Sequence, residues 1–262
     1  MASLRPDFAH QTYVIPQRTT SFRYMAESRM NIFVVGSKPD AVFPNVQPDR
    51  VYAVNGAIAR LENISETTES IGVISWSVIF SDEPQDVETR RQWSGRHVDR
   101  LIISGQGANF EQEAPELEVR LRDLGLRFAR LSAVGKQCKR IVVKSRRKNR
   151  LLMEVAIRLR SAWPSSLLLE LKRTKLLPEI GISGGVRTLV IANQEAPPGA
   201  KLYLIGVGAR KSRGHFYDSE AAFDKHALQD RNFLIDFSRK NPGRLIATDP
   251  VLWRFLERYA AP

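Results

Sequence analysis

The sequence predicts an α/β fold, in which a mostly parallel sheet carries helices on its faces. Two observations favour this class. Short apolar runs rich in β-branched residues recur along the chain, as in the segment that begins Asn31-Ile-Phe-Val-Val. The stretches between these runs are long enough for the helical or loop-rich crossovers that parallel strands need. With 262 residues, of which 43% are hydrophobic, the chain suits one large domain with a proper core.

The strands are predicted from apolar runs, several of which end in glycine or asparagine. They cover residues 31–35, 50–56, 72–80, 100–104, 202–205 and 244–247. In a parallel sheet, the residues that follow the strands meet at the carboxyl edge, which is where open α/β sheets bind their ligands. The turns after these strands are therefore the first place to look for a site.

The helices are predicted from apolar residues at helical spacing. The clearest covers residues 116–130, entered through Pro115, with Leu117, Leu121, Leu124 and Phe128 on one side. Further helices are predicted at residues 151–160, 165–177, 219–239 and 251–259. We expect residues 1–29 to form an N-terminal arm and residues 30–262 one Rossmann-like domain. Within that domain, residues 105–180 are predicted to be a variable, basic and largely helical insertion.

The charge of the chain indicates an anionic partner. Forty lysines and arginines against 28 acidic residues give a net charge of +12, which favours phosphate-rich or carboxylate-rich ligands. The densest basic run lies between Lys136 and Arg150. It has three interpretations: a solvated charged face, a contact with an anionic membrane or lipid-linked acceptor, or a nucleic-acid surface.

The single cysteine, Cys138, excludes an intrachain disulfide and a cysteine-based zinc site, and it favours a reducing compartment. The apolar runs are shorter than the roughly 20 residues of a membrane-spanning helix, and the N-terminus lacks the apolar core of a signal peptide. We expect a cytoplasmic protein, with peripheral contact at the inner membrane through residues 136–150.

Two strand-end turns have the composition of a binding loop. In Val35-Gly36-Ser37-Lys38-Pro39, the glycine would let the backbone approach a ligand, the serine can donate to a phosphate, and Lys38 supplies charge. The alternative is an ordinary tight turn, because the segment matches neither of the standard nucleotide-binding glycine motifs. Asn55 ends the next strand and is either a ligand-binding residue or a turn residue.

The segment from residue 182 to residue 218 has a third turn of this kind. Ser183-Gly184-Gly185 opens a helix, so that free backbone amides and a positive dipole end face whatever lies before them. Ser183 is equally an ordinary helix N-cap, which needs no ligand. The following strand ends in Gly206-Val207-Gly208, where glycines suggest a close approach by substrate or by backbone.

Two histidines follow this segment. His215 lies in Gly-His-Phe-Tyr-Asp, and His226 stands beside Lys225 and four residues before Asp230. A histidine with a nearby carboxylate can act as a general base near neutral pH, whereas an isolated surface histidine has no such role. Their spacing does not predict a metal site, and we expect none.

The order of these features resembles that of sialyltransferases that use CMP-sialic acid, in both the bacterial membrane-associated and the vertebrate groups. The similarity covers residues 31–56 and 182–248. It implies that Gly36, Ser37, Asn55, Ser183 and Gly184 contact the CMP donor, that Tyr217 meets its phosphate, and that His226 is the catalytic base. His215 and Lys38 would be neighbours of the site.

The resemblance implies a metal-independent glycosyltransferase that moves a sialic-acid-like sugar from a CMP donor to a hydroxyl of a glycan or glycolipid acceptor. It implies no cofactor beyond the CMP-linked sugar, which is the donor substrate. The other function class that the sequence leaves open is a nucleic-acid-binding α/β module with a basic surface and no catalysis. Against that alternative, no aromatic residues are interleaved with the run at 136–150.

Overall fold

A parallel sheet of seven strands forms the centre of the protein. The computed structural model describes residues 30–38, 41–65, 67–105, 110–134, 182–207 and 227–249, together with Leu252 and Leu256. The strands are β1 (Asn31–Val35), β2 (Arg50–Val54), β3 (Glu69–Ser75), β4 (His97–Ser104), β5 (Arg127–Ala133), β6 (Lys201–Ile205) and β7 (Leu245–Ala247). Every pairing between them is parallel, in the order β5-β4-β3-β2-β1-β6-β7. The predicted α/β class with a parallel sheet is confirmed.

The helices of the described residues connect these strands. They are a 3-10 helix (Asn55–Asn63), α1 (Trp76–Phe80), α2 (Pro84–Arg91), α3 (Phe110–Asp123), α4 (Gly184–Glu195) and α5 (Ala227–Lys240). Among the described residues, none of these helices has the length and apolar character needed to cross a membrane.

The core has two layers because helices cover both faces of the sheet. Alternating strand residues such as Ile32 and Val34 pack with the apolar side of α4, including Val186 and Leu189, on one face. Phe33 and its face neighbours pack with α1, α3 and the 3-10 helix on the other. Strands buried on both faces explain the continuous apolar runs from which they were predicted.

A polar network fixes the C-terminal end of α4 on its face of the sheet. Glu195 accepts a hydrogen bond of 2.7 Å from the Tyr52 hydroxyl and pairs with the Arg100 guanidinium. Burial, together with the hydrogen bond to the Glu195 carboxylate, raises the pKa of the Tyr52 hydroxyl well above its ordinary value. The neutral tyrosine is therefore the form that the folded protein stabilises.

Several predicted elements are wrong in their boundaries: β2, predicted at residues 50–56, ends at Val54, and β4, predicted at residues 100–104, begins at His97. Two further differences are larger. The helix predicted at residues 116–130 runs instead from Phe110 to Asp123, with Pro115 inside it, and Gly125 at φ +82° turns the chain into β5. Leu124 and Phe128 matched the helical spacing, but Phe128 is a buried strand residue. The strand predicted at residues 72–80 begins at Glu69 and ends at Ser75, and α1 follows it.

The insertion predicted at residues 105–180 begins with sheet structure. Residues 110–134 form α3 and β5, and β5 pairs with β4 at the end of the sheet. The remaining part of that prediction, the helices at 151–160 and 165–177, and the arm at residues 1–29 lie outside the described residues. The helix predicted at 219–239 is described only from Ala227, and in the one predicted at 251–259 only Leu252 and Leu256 are described, both as helical.

The strand order creates a switch point between β1 and β6. From β1 the chain moves outward through β2 to β5, and it then returns to the other side of β1 for β6 and β7. In open α/β sheets, ligands bind at the carboxyl edge beside such a switch point. The fold therefore puts the turn after β1 and the start of α4 at the conventional binding position.

Candidate functional site

The candidate site lies at the carboxyl edge of the sheet. Gly36, Asn55, Trp76, Gly105 and Gly206 directly follow β1, β2, β3, β4 and β6. Helix α4 packs against β1, β2 and β6, and it begins at this edge, where Gly184 meets Val54 and Gly185 meets Val207. The edge therefore combines strand-end turns with the positive end of a helix.

The start of α4 is fixed by two hydrogen bonds. The Ser183 hydroxyl accepts the amide of Val186 at 3.3 Å, which is the N-cap arrangement that the sequence allowed. The Ser183 amide donates to the Asp230 carboxylate of α5 at 2.8 Å, and Asp230 is fully buried. Because the Ser183 amide is occupied, a ligand at this helix end would meet the amides of Gly184 and Gly185.

Asn55 has a structural role in its turn. It is in the left-handed region at φ +46°, which asparagine tolerates better than most residues. Its side-chain Oδ1 accepts the amide of Ser75 at 2.9 Å, and its carbonyl accepts the indole N–H of Trp93 at 3.2 Å. These contacts agree with the interpretation of Asn55 as a turn residue. Its side-chain NH₂ group lies at the carboxyl edge, near Gly184.

Asn55 and Gly184 lie together although they are far apart in the sequence. The Asn55 Nδ2 atom is 3.7 Å from the position that a Cβ of Gly184 would occupy. A side chain at residue 184 would therefore enter the space between the helix start and the end of β2. Two predicted donor-binding residues from different elements are therefore neighbours at the carboxyl edge.

Gly36 is required by the neighbouring backbone. A Cβ at this position would lie 2.3 Å from the Gly206 carbonyl oxygen, and the Gly36 amide donates to Ile205 at 2.8 Å. Val207 fills the adjacent space, because its Cγ2 would be 2.9 Å from that Cβ and its Cγ1 2.7 Å from a Cβ of Gly185. Close backbone packing thus accounts for these glycines, and a ligand contact at Gly36 remains a prediction.

Ser37 and Lys38 continue the turn after β1. The Lys38 amide donates to the Gly206 carbonyl at 3.1 Å, and the Lys38 carbonyl accepts the Arg60 guanidinium at 2.7 Å. Both residues are partly exposed. Their backbone is fixed at the switch point, and their predicted roles toward a donor stay predictions.

Arg187 and Trp76 were not predicted as site residues. Arg187 is in the first turn of α4, and its Nη1 atom lies 3.9 Å from the position of a Gly105 Cβ; the Trp76 Cβ lies at the same distance. A cation near a helix N-terminus opposes the dipole, and this turn contains no acidic residue. The arginine two residues after Ser183-Gly184-Gly185 is the sequence feature from which Arg187 could have been predicted as a site residue.

Several predicted site residues lie outside the described residues. They are Gly208, His215, Tyr217, His226 and the basic run at 136–150. His226 directly precedes Ala227, the first residue of α5. Within the described part of the chain, no group of three or more histidine, cysteine or acidic residues could hold a metal ion.

A pocket at the opposite edge of the sheet is not part of this site. It has a volume of about 330 Å³ and is lined by Gly95, Arg122, Gly125, Leu126 and Arg127. Arg122 pairs with Glu118 at 2.8 Å and lies over the Phe128 ring at 4.8 Å. These residues precede β4 or β5, except Arg127, which begins β5, so the pocket is at the amino edge, away from the switch point.

No protein-family model matches the chain, and no curated protein matches it in sequence. Among solved structures, it is similar to the sialyltransferase CstII from Campylobacter jejuni, determined with the substrate analogue cytidine-5'-monophosphate. The identity is 11%, the TM-score is 0.37, and the match covers 89% of this chain and 85% of that one. A likeness of this size does not establish a shared fold or activity, and the fold assignment rests on the sheet itself.

Proposed function

We propose that the protein is a glycosyltransferase that transfers a sialic-acid-like sugar from a CMP donor to a hydroxyl of a glycan or glycolipid acceptor. The observation that carries the proposal is the proximity of Gly184 to Asn55, with Nδ2 of Asn55 3.7 Å from the Gly184 Cβ position. Both residues match donor-binding positions of the family that the sequence resembles. Their meeting at the carboxyl edge, beside the switch point, is what a shared nucleotide site requires.

The start of α4 would stabilise the departing phosphate. As the bond to the sugar breaks, negative charge grows on the CMP phosphate, and the amides of Gly184 and Gly185 precede the first intrahelical hydrogen bond, from Arg187 to Ser183. Tyr217 is the proposed side-chain donor to the same phosphate. In this proposal the reaction needs no metal ion.

His226 is the proposed general base that takes the proton of the acceptor hydroxyl. Support comes from Asp230, which follows it by four residues and contacts the amide of Ser183 at 2.8 Å. The first turn of α5 is therefore close to the start of α4, and chain connectivity keeps His226 next to that turn. Peripheral membrane contact through residues 136–150 is a further part of the proposal.

Binding of CMP alone tests the donor site. CMP at about 100 times its Kd should stabilise the folded protein by about 2.7 kcal/mol, because it binds only the folded state. Thermal unfolding should show this as a rise in Tm, whereas AMP at the same concentration should produce a smaller rise. If CMP leaves Tm unchanged and a single-stranded oligonucleotide binds with strong salt dependence, the protein belongs to the nucleic-acid-binding class instead.

Substitution of His226 tests the catalytic assignment. His226→Ala should abolish sugar transfer and leave the CMP-dependent rise in Tm nearly unchanged. His97→Ala is the control. His97 is an exposed residue at the amino end of β4, so it lies at the edge of the sheet opposite the site. Full transfer activity in His226→Ala would remove this residue from the mechanism.

A further inference from the structure

The pocket at the amino edge of the sheet has a backbone that is fixed by hydrogen bonds. Its volume is about 330 Å³, and it is lined by Gly95, Arg122, Gly125, Leu126 and Arg127. Except for Arg122, which is in α3, every lining residue donates its amide to a backbone carbonyl, at distances between 2.8 and 3.1 Å. The shape of the pocket is therefore set before any ligand binds, and a polar ligand would be bound by side chains.

The Arg122 guanidinium is held in place at this pocket. Its Nε and Nη2 atoms donate to Glu118 Oε1 at 3.1 and 2.8 Å, and Nη2 also donates to the Phe128 carbonyl at 3.4 Å. The guanidinium carbon lies 4.8 Å from the centroid of the Phe128 ring. Within the described part of the chain, the Arg122 Nη1 group has no hydrogen-bond partner, so its two N–H groups remain available.

Arg127 supplies a second guanidinium to the same pocket. This residue begins β5, and its side chain is exposed. Among the residues that the structure describes, no carboxylate pairs with the Arg127 side chain and no acceptor hydrogen-bonds to it. Glu118 is bound to Arg122 and does not line the pocket. The lining therefore carries two positive charges and no negative one, which favours an anion as the ligand.

Phosphate is the anion that suits two guanidiniums best. A phosphate monoester carries a charge of about −1.5 to −2 near pH 7 and has three strong acceptor oxygens, whereas a carboxylate has one charge and two oxygens. The planar fork of an arginine donates two parallel hydrogen bonds to such a group. The cavity, of about 330 Å³, reaches the roughly 300–1,000 Å³ of small-molecule sites, so it has room for an organic group beside the phosphate.

We infer that this pocket binds a phosphate dianion, either free or carried by a small molecule. Arg122 and Arg127 bind the phosphate oxygens. Gly95 leaves room for an attached group, because no atom lies within 4 Å of its Cβ position. The pocket is at the edge of the sheet opposite the proposed donor site, so the inference is independent of the proposed glycosyltransferase function.

Titration calorimetry on the full-length protein tests the inference with three probes: glucose 6-phosphate, glucose and inorganic phosphate. At a constant ionic strength of about 0.15 M, glucose 6-phosphate should bind at least tenfold more tightly than glucose. Arg122→Gln and Arg127→Gln should each weaken that binding about fivefold, since both side chains are partly screened by solvent. Inorganic phosphate distinguishes the two sources: equal affinity assigns the site to free phosphate, and weaker binding assigns it to a phosphorylated small molecule.

The control is Arg130→Gln, which should change the affinity for glucose 6-phosphate by less than about twofold. Arg130 is also an exposed residue of β5, but it pairs with Glu69 at 3.4 Å and does not line the pocket. Its substitution removes the same charge as Arg127→Gln. Equal effects of these two substitutions would show general attraction by charge and would overturn the inference. Equal affinity for glucose and glucose 6-phosphate would overturn it as well.

Two further measurements separate this pocket from other phosphate-binding surfaces. CMP should leave the affinity for glucose 6-phosphate unchanged, and competition between them would move the phosphate to the donor site and overturn the inference. Binding of a single-stranded oligonucleotide that depends on Arg127 more strongly than glucose 6-phosphate does would also overturn it, in favour of a nucleic-acid surface. Arg127-dependent binding of glucose 6-phosphate in a protein without a CMP response would retain the pocket and overturn the proposed function.

Discussion

The buried carboxylate of Asp230 on α5 accepts a hydrogen bond of 2.8 Å from the amide of Ser183, the N-cap residue of α4. This contact joins two helices at the carboxyl edge of the sheet. Because the Ser183 amide is occupied by this contact, a phosphate at the helix start would bind the amides of Gly184 and Gly185.

Replacement of Asp230 should destabilise the protein through this contact. Asp230→Ala would leave a partly buried amide without its charged acceptor, and we expect a loss of about 1.5–3 kcal/mol in the free energy of unfolding. Asp230→Asn should cost less, because an amide oxygen still accepts. Urea denaturation provides the measurement, with exposed Asp123→Asn as a control within about 0.5 kcal/mol of the wild type. A change as small in Asp230→Ala as in that control would show that the contact is dispensable.

The two glycines beside Val207 should respond differently to alanine. In Gly36→Ala the new Cβ meets the Gly206 carbonyl, which belongs to the backbone, whereas in Gly185→Ala it meets the Val207 side chain. Both should lose about 1–3 kcal/mol through overpacking. The substitution Val207→Ala should offset much of the loss in Gly185→Ala and little of that in Gly36→Ala.

Double-mutant cycles by urea denaturation measure this difference. A favourable coupling of about 1 kcal/mol or more is expected for residues 185 and 207, since they are in direct contact. Gly95→Ala is a reference for backbone strain alone, because Gly95 has φ +74° and no atom within 4 Å of its Cβ position. Equal coupling of Val207 to both glycines would contradict the assignment of the Gly36 clash to the Gly206 backbone.

Substitutions of Asn55 separate its structural role from ligand binding. Asn55→Gly loses the hydrogen bond to the Ser75 amide but keeps the left-handed conformation, for an expected cost of about 1 kcal/mol. Asn55→Ala adds about 1–2 kcal/mol of backbone strain. Asn55→Asp keeps the acceptor and should remain folded, while its charge should repel the CMP phosphate. Loss of the CMP-dependent rise in Tm in a stably folded Asn55→Asp is the expected result, and a normal rise would separate Asn55 from the donor site.

Tyr52 should make stability decrease at high pH. The folded protein raises its pKa above the ordinary value of 10.0, so the unfolded chain releases the proton first. The stabilisation is complete below pH 10 and is lost as pH increases toward the raised pKa, by about 1.4 kcal/mol per pH unit. Urea denaturation between pH 9 and pH 11 should show a shallower decrease in Tyr52→Phe. The same decrease in both proteins would assign it to other groups, such as Tyr203, whose pKa is also raised by burial.

The strands could be predicted because a strand buried on both faces appears in the sequence as a continuous apolar run. The Phe33-Val34-Val35 run holds no polar residue, and the partner run beginning at Leu202 holds no polar group other than the hydroxyl of the buried Tyr203. Ser183 likewise signalled the start of α4, because N-caps depend on local chemistry.

Local spacing could not distinguish α3 from β5. Leu117 and Leu121 are helix residues, and Phe128 continues their spacing by coincidence although it pairs with Val98 in the sheet. Only the conformation of Gly125 separates the two elements, and an isolated glycine does not reveal its φ angle in the sequence. The boundary was set by pairing with β4, which lies beyond the reach of a local pattern.

The proximity of Asn55 to Gly184, and of both Arg187 and Trp76 to Gly105, depends on how the chain returns across the sheet. Each partner comes from a different half of the described chain, and no spacing rule connects them. The resemblance supplied the first pair as residues of one site. The second pair became visible only when α4 and β4 had been placed on the same edge.

The central position of β1 has a consequence for the biogenesis of the protein. Among the seven described strands β1 is synthesised first, yet one of its two sides pairs with β6, where Asn31 meets Lys201. Until β6 has been synthesised, β1 presents an open hydrogen-bonding edge at the middle of an apolar core, and open edges of this kind promote aggregation. Nascent chains stalled before β6 should therefore depend on chaperones, and the core can close only when nearly the whole described chain has been made.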